Sequence, residues 1–152
     1  MPELLIRVAQ ESERAALESL QMRASLAWEE YRDALLAHPE AVQLPPDRIS
    51  AGHVFVAQDG ADILGFCVVL PREDGDAEID GCFVDPACWR GGVGSRLVQH
   101  ARRIAAGRGA ALLHVVATPR GQRFYESCGF EPTGDTPTRF GPALAMRSDI
   151  RR

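Results

Sequence analysis

The chain has 152 residues and a mass of 16.6 kDa, enough to bury a core without disulfides or structural metal, so residues 1–152 are expected to form one domain. With 45% apolar and 25% charged residues it has the composition of a globular protein, which excludes a disordered chain. The longest apolar runs, residues 63–70 and 110–117, are too short to span a bilayer, and a formal net charge of -4 does not point to nucleic acid as a partner.

The first residues lack the basic start, apolar stretch and small-residue cleavage site of a secretory signal, so a cytoplasmic location is expected. Residues 4–8 suit a first strand. Acidic residues after Gln10 mark a helix start, and the spacing of Ala15, Ala16, Leu20, Leu26, Ala27, Tyr31 and Leu35 predicts one broken helix or two, with the break near Ser25. His38-Pro39 stops it, and a loop with one turn after Asp47 extends to Gly52. Residues 53–58 and 63–70 flank Asp59-Gly60-Ala61-Asp62, a hairpin signal, and a charged turn at residues 72–76 leads into a third meander strand at residues 77–84.

The pattern changes after Asp85-Pro86. A glycine-rich segment, Trp89-Arg90-Gly91-Gly92-Val93-Gly94-Ser95, opens a helix whose apolar face is Val93, Leu97, Val98, Ala101, Ile104 and Ala105. Gly107 and Gly109 end that helix, and residues 111–117 read as a buried parallel strand, completing a strand, helix, strand crossover. Pro119 opens a further helix carrying Phe124 and Tyr125, Gly129 closes it, and residues 130–133 and 142–146 are the last strands. The fold class expected is α+β, a mixed seven-stranded sheet flanked by about four helices.

Between Pro86 and Tyr125 there are seven Arg and no acid, leaving ten Arg against 21 acids elsewhere. That asymmetry suits a site for a small polyanion, although a solvated basic helix face would look the same. A glycine turn between a strand and a helix start exposes unpaired N–H groups at the positive end of the helix dipole, a ready phosphate cradle. A Walker A loop needs Lys, which this chain lacks, and a dinucleotide fingerprint needs Gly where Leu97 stands. The four cysteines, Cys67, Cys82, Cys88 and Cys128, form no CxxC pair and read as packing residues. No HExxH or clustered His occurs, so no metal is expected.

Trp89 to Gly94 resemble the pyrophosphate loop of the GNAT superfamily of acetyl-CoA-dependent N-acetyltransferases, Gln/Arg-x-x-Gly-x-Gly/Ala, with Trp89 in place of the first residue and Arg90 one place later. Glu78-Ile79-Asp80-Gly81-Cys82-Phe83-Val84-Asp85-Pro86 is similar to the central strand of that family, and Arg123-Phe124-Tyr125-Glu126-Ser127-Cys128-Gly129-Phe130 to its Phe-Tyr-x-x-x-Gly-Phe signature. The resemblance covers nearly the whole chain. It implies a mostly antiparallel sheet with a central splayed parallel pair, acetyl-CoA as cofactor with CoA as product, and transfer of acetyl to a small-molecule or peptide amine by direct attack in a ternary complex. From charge and the short apolar runs no nucleic-acid or membrane partner is expected, and the resemblance leaves room for a homodimer.

By the same resemblance the cofactor-binding residues are Phe83, Val84, Trp89, Arg90, Gly91, Gly92, Val93, Gly94, Ser95, Thr118, Arg120 and Tyr125, with Arg96 and Arg123 adding charge. Thr118 stands where many relatives carry Asn. Catalysis implies three tasks. Glu78 or Asp80, on one strand face by period-two spacing, removes the proton of the acceptor amine, directly or through water. A backbone N–H near Val84 receives the oxyanion. Tyr125 protonates the departing thiolate. Trp28, Tyr31 and the Pro45-Pro46 loop correspond to one wall of the acceptor site, and otherwise read as a core stripe and a connector. The alternative is a catalytically silent CoA-binding domain of the same fold.

Overall fold

A computed structural model of the chain describes residues 4–138 and 141–151, with the side chains of residues 29–31, 41 and 42 outside the description. Seven strands, β1 (Leu4–Val8), β2 (Val54–Asp59), β3 (Asp62–Pro71), β4 (Ala77–Val84), β5 (Leu112–Ala117), β6 (Glu131–Thr138) and β7 (Gly141–Asp149), alternate with five α-helices. These are α1 (Arg14–Leu26), α2 (Glu29–Ala37), α3 (Pro46–Ser50), α4 (Val93–Gly107) and α5 (Gln122–Ser127). The strands hydrogen-bond in the order β1-β2-β3-β4-β5-β7-β6. The β4–β5 pair is parallel, whereas β1–β2, β2–β3, β5–β7 and β6–β7 are antiparallel. The chain divides into two compact units, Met1–Val68 with Cys82–Leu97 and Val69–Gly81 with Val98–Arg152.

In the first unit, Leu17, Leu20 and Ala24 follow one another at helical spacing and are buried, as are Val54, Val56, Phe66, Val93 and Leu97. The start of the helical stretch is held by charge. Glu13 accepts from the backbone N–H of Gln10 at 2.8 Å and from both Arg7 Nη atoms at 3.0 and 2.7 Å. The break expected near Ser25 falls at Ala27-Trp28, where the backbone of Trp28 is extended and precedes α2. The expected loop to Gly52 is more ordered than its composition indicates. Pro39 and Pro46 each open a short helical segment, and Leu44 is pinned to α1 by Arg14 Nε on its carbonyl at 2.7 Å and by its N–H on Glu18 at 2.6 Å.

In the second unit the parallel ladder joins Ala77–Ile79 to Leu113–Val115. The outer strands are longer than residues 130–133 and 142–146. Turn-type residues Pro132, Gly134 and Pro137 hide β6 in the sequence, and they are tolerated because β6 lies at the end of the strand order, where one side needs no ladder. Val93, Leu97, Val98, Ala101 and Ala105 are the buried positions of α4 as its spacing predicts, while Ile104 is half-buried. No helix among the described residues is long and apolar enough to cross a membrane.

Candidate active site

The first unit carries the residues from Phe83 to Ser95. Where β4 ends, Asp85 turns the chain: its N–H donates to the Leu64 carbonyl at 2.8 Å, and its carboxylate accepts from Ala87 N–H at 3.1 Å and from Arg23 at 3.1 Å. A single 3-10 turn, Pro86–Cys88, follows. Arg90 then lies in the left-handed region at φ 70° and Gly92 at φ 84°, before α4 starts at Val93. Glycine at 92 is required by this φ alone, since a Cβ there would meet nothing within 4 Å. A left-handed Arg costs about 1–2 kcal/mol, so the loop holds Arg90 in that shape against local preference.

The consequence is electrostatic. Arg96 N–H is bonded to the Gly92 carbonyl at 3.1 Å, and the N–H groups before it in α4 have no carbonyl behind them in their own helix. The first turn carries no acid, so nothing offsets the positive end of the helix dipole there. Arg90 is exposed and makes no hydrogen bond or ion pair with the described residues. Donors, dipole and a free guanidinium at one turn suit a phosphate group.

Trp89 leaves this turn toward the protein. Its indole N–H donates to the Val84 carbonyl at 2.8 Å, and its ring stacks on Trp28 with centroids 4.7 Å apart and planes 18° from parallel. Phe83, by contrast, packs on Phe66 at 5.3 Å. The side chain of Tyr31 lies outside the described residues.

The second unit carries Glu78, Asp80, Thr118, Arg120 and Tyr125. Ala77 and Ile79 are buried, so Glu78 and Asp80 share the outward face of β4 as period two requires. Asp80 is exposed, whereas Glu78 lies 3.5 Å from Arg72 in a polar group with Asp74, Asp76 and His114. Ligand atoms of those last three lie within 4.8 Å of one another, but each is engaged: Asp74 by Arg72 at 3.1 Å, and Asp76 by His114 Nε2 at 2.9 Å and Leu112 N–H at 3.2 Å. Thr118 has its hydroxyl on Gly121 N–H at 3.3 Å, which gives it a place at the start of α5. Tyr125 on α5 is buried, its ring edge-on to Phe124 at 5.0 Å and Phe130 at 5.5 Å. A hollow of about 470 Å³ lined by Arg102, Glu131, Arg147, Ser148 and Asp149 contains none of the expected site residues.

Of the four cysteines Cys67 is buried in the core, while Cys82, Cys88 and Cys128 are half-buried. Contact with Cys82 and complete burial push the Cys67 thiol well up, and burial followed by Asp85, Asp62 and Asp59 raises that of Cys88, the reverse of what a nucleophile needs. Sequence reasoning missed two pairs, Trp28 with Trp89 and Asp76 with His114. Each joins positions far apart in the chain, and no local pattern encodes either.

The model of the acetyltransferase (GNAT) family matches residues 18–130. Among solved structures, the PaiA N-acetyltransferase of Thermoplasma acidophilum in complex with coenzyme A superposes with a TM-score of 0.77 at 17% identity, covering 96% of this chain and 98% of that one. The ribosomal-protein-S18-alanine N-acetyltransferase of Escherichia coli gives 0.72 at 20% identity over 98% and 95%. An aminoglycoside 6'-N-acetyltransferase complexed with coenzyme A gives 0.71 at 19% identity over 96% and 97%. No curated protein matches the sequence.

Proposed function

The chain belongs to the acetyltransferase (GNAT) family and is an acetyl-CoA-dependent N-acetyltransferase; from that premise we propose how its own residues carry the reaction. The observation that supports the cofactor site best is the turn of Arg90 and Gly92 at the acid-free start of α4. Its backbone donors and the free Arg90 side chain fit the phosphates of acetyl-CoA, with Gly91, Val93, Gly94 and Ser95 supplying the rest of the cradle. When bound, acetyl-CoA supplies a thioester-activated acetyl group.

The protein contributes proton transfer and charge. An amine is mostly protonated at neutral pH, so Glu78 or Asp80 removes a proton before attack, directly or through water. The N–H of Val84 donates toward the oxygen on which negative charge develops. Tyr125 gives its proton to the leaving sulfur. Its ring packs edge-on against Phe124 and Phe130. Thr118 and Arg120 line the cofactor arm in this reading.

The acceptor we propose is a small-molecule or peptide amine, cationic in line with the acidic balance outside residues 86–125. The four free cysteines suit a cytoplasmic protein. Release of free CoA thiol with a panel of amines tests the assignment. Tyr125→Phe keeps both aromatic contacts and is expected to lower kcat about a hundredfold. Unchanged kcat in that variant would remove Tyr125 as the acid.

A further inference from the structure

The segment between Val84 and α4 has little backbone scaffolding of its own. Apart from Asp85 N–H on the Leu64 carbonyl at 2.8 Å, its backbone hydrogen bonds are local turns: Cys88 to Asp85 at 2.8 Å, Trp89 to Pro86 at 3.3 Å and Gly91 to Cys88 at 3.2 Å. Side chains attach it to the rest of its unit. Arg23 on α1 reaches Asp85 at 3.1 Å, Trp89 Nε1 donates to Val84 O at 2.8 Å, and the Trp89 ring lies on Trp28, the N-cap residue of α2. Trp89 remains 36% exposed, so filling the core does not account for it. The next residue, Arg90, occupies a left-handed conformation that persists only when its surroundings impose it.

We propose that Trp89, gripped by Trp28, is a positioning residue that holds the Arg90–Gly92 turn in its phosphate-receiving shape and couples that turn to the α1–α2 junction. This rests on the acetyl-CoA reading above. The hydrogen bond and the stack act in series: the stack orients the indole, and the oriented indole fixes the chain at Val84 and Trp89 together. Removing either contact therefore removes most of the effect of both. The turn would then sample other conformations and bind only when it returns to the competent one, which weakens apparent affinity.

Acetyl-CoA affinity measured by calorimetry on Trp89→Phe, Trp28→Leu and the double variant tests this. Trp89→Phe keeps a ring for stacking but loses the N–H, and Trp28→Leu keeps the N–H but loses the stack. Each is expected to raise Kd about fivefold. The double variant should be no weaker than about tenfold, a non-additive result. These are the only two tryptophans, so the circular dichroism of stacked indoles reports the grip directly, and it should vanish in Trp28→Leu. Wild-type Kd in folded variants, or losses that multiply fully, would overturn the proposal while leaving the cofactor reading intact. Failure of the wild type itself to bind acetyl-CoA would overturn both.

Discussion

Gly65 shows how tightly the candidate site is built at the level of single atoms. A Cβ at this position would lie 2.7 Å from the Phe83 carbonyl oxygen, 3.2 Å from Leu97 Cδ1 and 3.3 Å from Val84 Cα. Backbone cannot yield as a flexible side chain does, so Gly65→Ala must push β4 where Phe83 and Val84 are expected to serve the cofactor. The variant should lose about 1–3 kcal/mol of stability and show a raised KM for acetyl-CoA. A wild-type melting temperature and KM would show that β4 has slack there. Nothing in the sequence marks Gly65, because it sits inside an apolar run and its partner is on another strand. Tyr125 and the glycines of the turn became candidates for the opposite reason, since the signal that singles them out lies in contiguous motifs. Trp89 was legible only as a departure, and its partner 61 positions away in the chain gave it meaning.

At the scale of elements, the strands and helices with a clean period were readable and those built on punctuation residues were not. Periods of two and 3.6 encode which face is buried, as the positions of Glu78 and Asp80 and the apolar stripe of α4 show. The proline-led α3 and the edge strand β6 use residues that signal turns, and position in the fold decides their conformation. The beginning of the helical stretch yields a pH prediction. Hydrogen bonds from Arg7, and then from Gln10 N–H, hold the Glu13 carboxyl below its ordinary pKa despite opposing burial. The folded state thus favours the charged form, so the stabilisation is present above the unfolded Glu pKa and is lost as pH falls through the folded value. Glu13→Gln should cost about 1–2 kcal/mol at neutral pH. Its melting temperature should fall less steeply than that of the wild type between roughly pH 5 and pH 3. Parallel curves for the two proteins would deny the pair its role.

For the whole molecule, the charge pattern was a sound guide to ligand type but not to which arginines are available. Arg96 reaches the Leu4 carbonyl at 3.5 Å, and Arg102 holds Ser148 at 2.6 Å while lying over Phe130. Those two are employed in the fold, whereas Arg90 and Arg123 remain exposed without hydrogen bonds or ion pairs to the described residues. The family was legible because strand, glycine turn, helix and aromatic signature occur in one order, all within residues 18–130 that the family model matches. The acceptor was not legible, since no contiguous motif encodes it and relatives of the same fold act on amines as different as an aminoglycoside and a ribosomal alanine.

Every residue role proposed above requires acetyl-CoA to bind the folded chain, and thermal unfolding against increasing acetyl-CoA, with an equal concentration of a simple nucleotide as control, tests that most directly. A ligand that binds only the native state adds about 2.7 kcal/mol at a hundred times its Kd, a rise of roughly 5–10 °C for a chain of this size. The predicted result is such a concentration-dependent rise with acetyl-CoA and little with the nucleotide. A melting temperature unmoved by acetyl-CoA at every concentration would contradict the account.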